Sequence, residues 1–219
     1  MKIKGIAFDI DGTLYHNRQM YILSTTSFVA NPKLAYHFSK ARKTIRTYEK
    51  IENFRKTQAG IIAQTMKKDP EQIYKLVEIR LYKKWVRAFR FLRPYRGVRK
   101  LVVDLKARGY KLGVLSDFPP QKKLTYLNLE GFWDAAFSSE EVEYLKPRPE
   151  PFLELAKRME LKPEEILYVG NSYKYDIIGA SSVGMKTAYL SKKESVPPAD
   201  IVFSSYEQLA EKLSVFLDD

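Results

Sequence analysis

Cysteine is absent from this 219-residue sequence, and histidine occurs only twice, as His16 and His37. The first absence excludes a disulfide framework and any thiolate metal site. The second argues against a histidine-rich zinc or iron centre and leaves oxygen ligands as the natural alternative. No apolar run approaches the length of a membrane span, and Met1-Lys2-Ile3-Lys4 leads directly into an apolar segment with no charged-then-apolar leader. A cytoplasmic protein with no membrane partner is therefore expected. Acidic residues are scarce in one region: 15–95 holds 18 Lys/Arg against 5 Asp/Glu, whereas the rest holds 20 against 21. The formal charge of +12 thus belongs to one stretch, a composition shift that marks an inserted region. A hydrophobic content of 45% and an aromatic content of 13% exclude wholesale disorder.

Against these absences stands one dense stretch. Ile3, Ile6, Ala7, Phe8 and Ile10 form an almost unbroken apolar run, the pattern of a strand buried on both faces in a parallel sheet. Asp9 and Asp11 appear where that strand ends, followed by Gly12 and Thr13, which favour a tight turn. Desolvating an unpaired carboxylate costs several kcal/mol, so charge at this position implies a cation or a set of donors. The carboxyl ends of strands in open α/β sheets are also where ligands bind.

Along the chain, 14–31 reads as a loop with one short helix. Asn31-Pro32 then signals a helix start, and Leu34, Phe38, Ala41, Ile45 and Tyr48 carry an amphipathic helix into the mid-fifties. A further helix covers 57–66. Asp69-Pro70-Glu71 starts another, whose stripe of Ile73, Val77, Leu81, Trp85, Ala88 and Leu92 runs to Arg93-Pro94. From Gly97 helices and strands alternate: helices at 98–108, 119–129, 149–160, 173–183 and 205–217, and strands at 111–115, 135–138, 166–169, 186–190 and 201–203. That alternation predicts an α/β fold, a doubly wound, Rossmann-like parallel sheet (1–14 and 96–219) with an inserted α-helical cap (15–95).

Polar residues recur after successive predicted strands: Asp9 and Asp11, Ser116 with Asp117, Lys146, and Asn171 with Asp176. A parallel sheet would gather them on one edge. Two carboxylates ~4–5 Å apart repel by roughly 3–4 kcal/mol at an effective dielectric of ~20, and an entering phosphate dianion would add to this. A divalent cation is therefore expected, and magnesium suits Asp, Asn and backbone carbonyl ligands.

In this order and spacing the chain resembles the haloacid dehalogenase superfamily of phosphatases. Its first motif is similar to Asp9-Ile10-Asp11-Gly12-Thr13, its second to Leu115-Ser116-Asp117, its third to Lys146-Pro147-Arg148-Pro149-Glu150-Pro151-Phe152, and its fourth to Gly170-Asn171-Ser172 through Asp176. The insert after the first motif resembles the group capped at that site. The resemblance implies Asp9 as nucleophile, Asp11 as general acid and base, Ser116 as phosphate ligand and Lys146 as charge stabiliser. It further implies Asp176 with Asn171 as the metal side, and Asp9, Asp11, Asn171 and Asp176 are the expected Mg2+ ligands; Ile10 and Asp117, with Arg18 of the basic insert, are expected to contribute to substrate binding. Many members carry aspartate where Asn171 stands, so this site has one negative charge fewer.

The implied function is a Mg-dependent phosphatase that hydrolyses a small phosphorylated metabolite through an aspartyl-phosphate. A dehalogenase needs no acid for its leaving group, so Asp11 favours phosphoryl chemistry. The alternatives are a phosphoglucomutase-like phosphotransferase, or a catalytically weak relative that keeps the fold for binding or regulation. In the cap, Arg18, Arg42, Arg46, Arg87 and Arg90 are candidates to face the cleft. The cap is expected to hinge near Tyr15-His16-Asn17 and Arg93-Pro94-Tyr95. Its aromatics, including Tyr36, Phe38, Tyr48, Phe54, Tyr82, Trp85 and Phe89, fall largely on apolar stripes, which fits core packing better than nucleic-acid binding.

Overall fold

The computed structural model describes residues 2–49, 51–83, 86 and 89–217; nothing is stated of side chains within 24–30. β1 (Gly5–Phe8) opens the chain, followed by four helices, α1 (Asn17–Ala30), α2 (Pro32–Ile45), α3 (Phe54–Met66) and α4 (Pro70–Val77). A π-helical turn (Glu78–Lys83) and a 3-10 turn (Phe89–Phe91) complete the insert. Then come α5 (Val98–Ala107), β2 (Lys111–Ser116), α6 (Gln121–Tyr126), β3 (Ala135–Ser138), α7 (Pro149–Arg158) and β4 (Ile166–Gly170). A π-turn (Tyr173–Ile177) leads into α8 (Ile178–Ser181), and β5 (Lys186–Leu190), β6 (Ile201–Phe203) and α9 (Tyr206–Phe216) close the chain.

The six strands form one parallel sheet in the order β3-β2-β1-β4-β5-β6, as the alternation predicts. Strand side chains alternate between faces, and both faces are covered. Ile6, Phe8, Leu112, Val114, Leu167 and Val169 pack in one cluster with Val98, Leu105 and Leu209 of α5 and α9. Ala7, Leu115, Phe137, Ile166 and Tyr168 pack in another with Phe152, Leu155 and Met159 around α7. β1 lies between β2 and β4, with Phe8 in register with Val114 and Val169, so the residues after Phe8 emerge at the middle of the sheet edge.

The insert differs from expectation at several points, one being that the α-helix opened by Pro70 ends at Val77 and passes into a π-helical turn instead of continuing to Arg93. Residues 17–30 form a full helix rather than a loop with a short one. The helix opened by Pro32 stops at Ile45 instead of reaching the mid-fifties. Asn53 caps a new helix, its Oδ1 accepting from the Lys56 backbone N–H at 3.0 Å. Ile51 in the break is buried with Ile45, Phe54 and Leu145, so the chain turns to bury it against the core. Asp69 caps α4 as predicted, accepting from the Gln72 N–H at 2.8 Å. Ile73, Val77, Leu81 and Leu92 are buried along the predicted stripe, while Trp85, Arg87 and Ala88 lie outside the described residues.

The insert leaves and rejoins the sheet through adjacent segments. Tyr15 forms a bridge with Pro94, the Tyr95 N–H donates to the Leu14 carbonyl at 2.9 Å, and the Gln19 amide binds both the N–H and carbonyl of Arg93 at 2.8 and 2.9 Å.

Candidate active site

The turn after β1 builds the floor of the site. The Ile10 carbonyl accepts from the N–H groups of Thr13 and Leu14 at 3.1 and 3.0 Å, while the Ile10 side chain is fully buried. Gly12 completes the turn with φ of 91°, and an added Cβ would lie 2.3 Å from the Asn171 amide nitrogen and 2.4 Å from that of Asn17. Gly12→Ala should therefore destabilise the protein by about 1–3 kcal/mol in urea unfolding, since it combines left-handed strain with a clash.

That turn holds Asp9 in place at 5% exposure. Its Oδ2 accepts from the Thr13 hydroxyl at 2.8 Å, and its Oδ1 accepts from the Lys146 ammonium at 2.8 Å. Lys146 also donates to Asp176 Oδ1 at 2.6 Å and to the Tyr168 hydroxyl at 3.2 Å. The other oxygen of Asp176 accepts from the backbone N–H groups of Asn171 and Ser172 at 3.2 and 2.9 Å. Gly170 lets Asp176 come this close, because a Cβ there would lie 2.3 Å from the Asp176 Cβ. Asn171 Oδ1 stands 3.2 Å from the Thr13 hydroxyl, which links the ends of β1 and β4.

One ammonium thus serves two buried carboxylates. Burial raises the Asp9 pKa from 3.8 to about 7, with Asp176 and Asp11 adding to the rise and Lys146 opposing it. Burial works against the charge on Lys146, yet Asp176 and Asp9 keep its pKa well above the usual lysine value. The pair shares an ionic bond, but the positive charge is insufficient for the carboxylates around it.

Asp11 sits beside this cluster in a different set of contacts. The Tyr15 hydroxyl and the Lys123 ammonium both bind it, Lys123 at 2.7 and 2.5 Å from its two oxygens, and the Ser116 hydroxyl lies 3.4 Å away. Burial, reinforced by Asp11, drives the Tyr15 pKa well up, so the phenol remains a donor. Lys123 and Tyr15 carried no signal in the motif pattern. A trace exists for Lys123: Pro120, Lys123, Leu124 and Leu127 form one buried helical stripe, with a lysine among apolar residues.

The residues expected to contact substrate divide. Asp117 is engaged by the insert: its carboxylate pairs with Arg46 and accepts from the Ser139 hydroxyl at 2.8 Å. Despite burial, Arg46, Lys146 and Arg42 hold its pKa below the ordinary carboxylate value. Arg46 also donates to the Lys146 carbonyl at 2.8 Å and lies 4.5 Å over the Tyr175 ring. Arg42 is buried, 2.5 Å from Glu140, and donates to the Asp117 carbonyl at 2.7 Å. Arg18 is exposed in the first turn of α1, and no described contact joins its side chain to the cluster. Arg90 lies over Phe91, and Phe38, Phe54, Tyr82 and Phe89 are buried.

A doubly wound parallel sheet with paired carboxylates and a shared lysine at the carboxyl end of its central strands defines an α/β protein with its polar site at the strand ends. The sequence model of the haloacid dehalogenase-like hydrolases matches residues 3–184. The chain belongs to that family. It is 32% identical to a glyceraldehyde 3-phosphate phosphatase from Methanocaldococcus jannaschii, over 93% of this chain and 92% of the relative. It is 28% identical to the pyrophosphatase PpaX of Bacillus cereus, over 87% of this chain and 84% of that one. Among solved structures, a 2-haloacid dehalogenase from Pseudomonas syringae shares the fold with a TM-score of 0.71 at 20% identity, covering 98% of this chain and 99% of that one. A phosphatase of the same superfamily from Thermococcus onnurineus gives 0.66 at 23% identity, covering 96% and 98%.

Proposed function

We propose that this hydrolase, a phosphatase within its family, cleaves a small phosphomonoester by passing the phosphoryl group to Asp9 and then to water. The observation that supports this most is the convergence on Asp9: a buried carboxylate at the end of the central strand, oriented by Thr13 and Lys146, with Asp11 two residues on. In the first half, an Asp9 oxygen attacks phosphorus while Asp11 gives its proton to the departing ester oxygen. In the second half, Asp11 takes a proton from the water that displaces phosphate from Asp9. Lys146, Ser116 and the N–H groups of the turn that includes Ile10 hold charge on the phosphoryl oxygens.

The donors fit Mg2+. They are oxygens only, and Asp9 Oδ2 and Asn171 Oδ1 lie within 2.8 and 3.2 Å of one hydroxyl, that of Thr13. Burial, with Asp176 and Asp11 nearby, pushes the Asp9 pKa up, and a cation beside it would favour its ionised form. Among the described residues no three acidic or histidine side chains form a ready metal cage, so the Asn171 amide oxygen, backbone, water and substrate would complete the shell. Asp9, Asn171 and Asp176 are the residues whose side chains would hold the ion, with Asp11 contributing through its backbone carbonyl while its carboxyl group stays free for proton transfer. Bound there, magnesium supplies charge neutralisation at the phosphoryl oxygens.

Residues 15–95 act in this reading as a cap over the site, hinged at the paired segments around Tyr15 and Pro94. One of these relatives is named for glyceraldehyde 3-phosphate, a small phosphomonoester, and the other for pyrophosphate, a small phosphoanhydride; the first supports a small phosphorylated metabolite here. None of the described helices is long and apolar enough to cross a membrane.

The test is turnover of p-nitrophenyl phosphate at graded magnesium. Asp9→Asn should lose activity by on the order of 10^4-fold or more. Asn171→Asp should keep or gain activity and reach half-saturation at lower magnesium, because it restores a charged ligand. An active Asp9→Asn enzyme would end the aspartyl-phosphate reading, and an inactive wild type would favour a binding role.

A further inference from the structure

We propose that Lys123 is a positioning residue that fixes the Asp11 carboxyl group for proton transfer. This rests on the reading in which Asp11 moves the proton. Lys123 lies near the start of α6, outside the motifs, and its side chain is 3% exposed. Its ammonium reaches both Asp11 oxygens at 2.7 and 2.5 Å. The aliphatic stem is confined in the helix's buried stripe, and the ammonium lies 5.1 Å from the Phe89 ring and 5.3 Å from that of Phe118. A buried lysine held between an aromatic wall and one carboxylate has little freedom, so it sets where that carboxylate sits. Phe89 belongs to the insert and Phe118 to the sheet side, so Lys123 also stands where the cap meets the core.

Lys123 is not a reactant in either half. In the first half the Asp9 oxygen forms a bond to phosphorus as the ester P–O bond breaks, and the Asp11 proton goes to the leaving oxygen. In the second half water forms the new P–O bond, the Asp9–phosphorus bond breaks, and the water proton returns to Asp11. Both halves need Asp11 in register with the reacting oxygen, and neither consumes Lys123. A leaving group that departs without a proton escapes the first requirement.

The experiment is a rapid-quench first turnover of magnesium-loaded enzyme with glycerol phosphate and with 2,4-dinitrophenyl phosphate. Lys123→Met should slow glycerol release by on the order of 10^2-fold and dinitrophenol release by less than about threefold. Asp9 phosphoenzyme formed from the aryl ester should persist, since its hydrolysis still needs Asp11. If Lys123→Met does not fold, Lys123→Gln serves in its place, with the same selectivity expected. Equal slowing of both esters, or slowing of neither, overturns the positioning role. Asp11→Asn is run beside it. If Asp11→Asn discriminates between the esters and the Lys123 variant does not, this proposal alone fails; if Asp11→Asn shows no discrimination, the acid–base reading itself fails and takes this role with it.

Discussion

Metal-free Lys146→Met protein should melt well below the wild type, and the gap should widen as the pH rises above about 7. Among the described residues Lys146 is the cation bonded to both Asp9 and Asp176, at 2.8 and 2.6 Å, and its side chain is 3% exposed. Removing one partner of a buried ion pair costs about 3–5 kcal/mol, because the remaining charge has no compensation. For a chain of this size each kcal/mol is worth about 2–4 °C, so a drop of roughly 6–20 °C is expected.

The pH dependence follows from Asp9. Its folded pKa of about 7 lies above the ordinary 3.8, so the native state holds the proton more tightly than the unfolded chain. That contribution is fully present below pH about 4 and is lost as pH rises through about 7. Lys146 opposes the rise, so without it Asp9 should sit higher still, and ionising it at pH 8 should cost more than in the wild type. Thermal melts at pH 5, 6, 7 and 8 without metal test this. A gap that stays constant would show that Asp9 is not the titrating group. Turnover should also fall by on the order of 10^2–10^3-fold, the usual loss when one stabiliser of developing charge is removed.

Arg42→Met should be comparably destabilising, by about 3–5 kcal/mol in urea unfolding, through a different break. Arg42 from α2 and Glu140 from the segment after β3 are a nearly fully buried pair 2.5 Å apart. Glu140 also accepts from the Tyr82 hydroxyl at 2.8 Å, while its second oxygen has no hydrogen-bond partner and lies 3.5 Å from Arg55. Cutting Arg42 to an apolar chain leaves that carboxylate without its principal cation. Replacing both, as Arg42→Met with Glu140→Leu, should restore most of the loss, because an apolar pair asks for no desolvation. Losses that simply add would show that the two side chains are not energetically coupled. Arg46→Met should cost less, since the side chains of Arg46 and Asp117 are 15% and 16% exposed.

The sheet was legible because its strands carry their own pattern. β3, β5 and β6 span the residues that alternation and apolar runs indicate, and the turn residues after β1 mark the site beside them. Asp9, Asp11, Lys146, Asn171 and Asp176 stood out because each is charged or polar where an apolar element ends. The insert was harder to read for a tertiary reason. Past Ile45 the helical period continues through Tyr48, yet Arg46 is drawn to Asp117 and the Lys146 carbonyl, and Ile51 is drawn under Leu145. Contacts with residues 70 to 100 positions away end that helix, and no local rule encodes them. Glu140 was missed for the same reason, its partners lying on other elements, while Lys123 left only the trace of a lysine within an apolar helical stripe.

The neck at Tyr15 and Pro94 has a consequence for how such a protein can change. Because exit and return lie side by side, the 78 residues between them begin and end at one point of the sheet edge, and their further ties to the core include charged pairs such as Arg42–Glu140 and Arg46–Asp117. An insertion at that point changes length without displacing a strand, but one that lacked Arg42 and Arg46 would leave Asp117 and Glu140 without those cations.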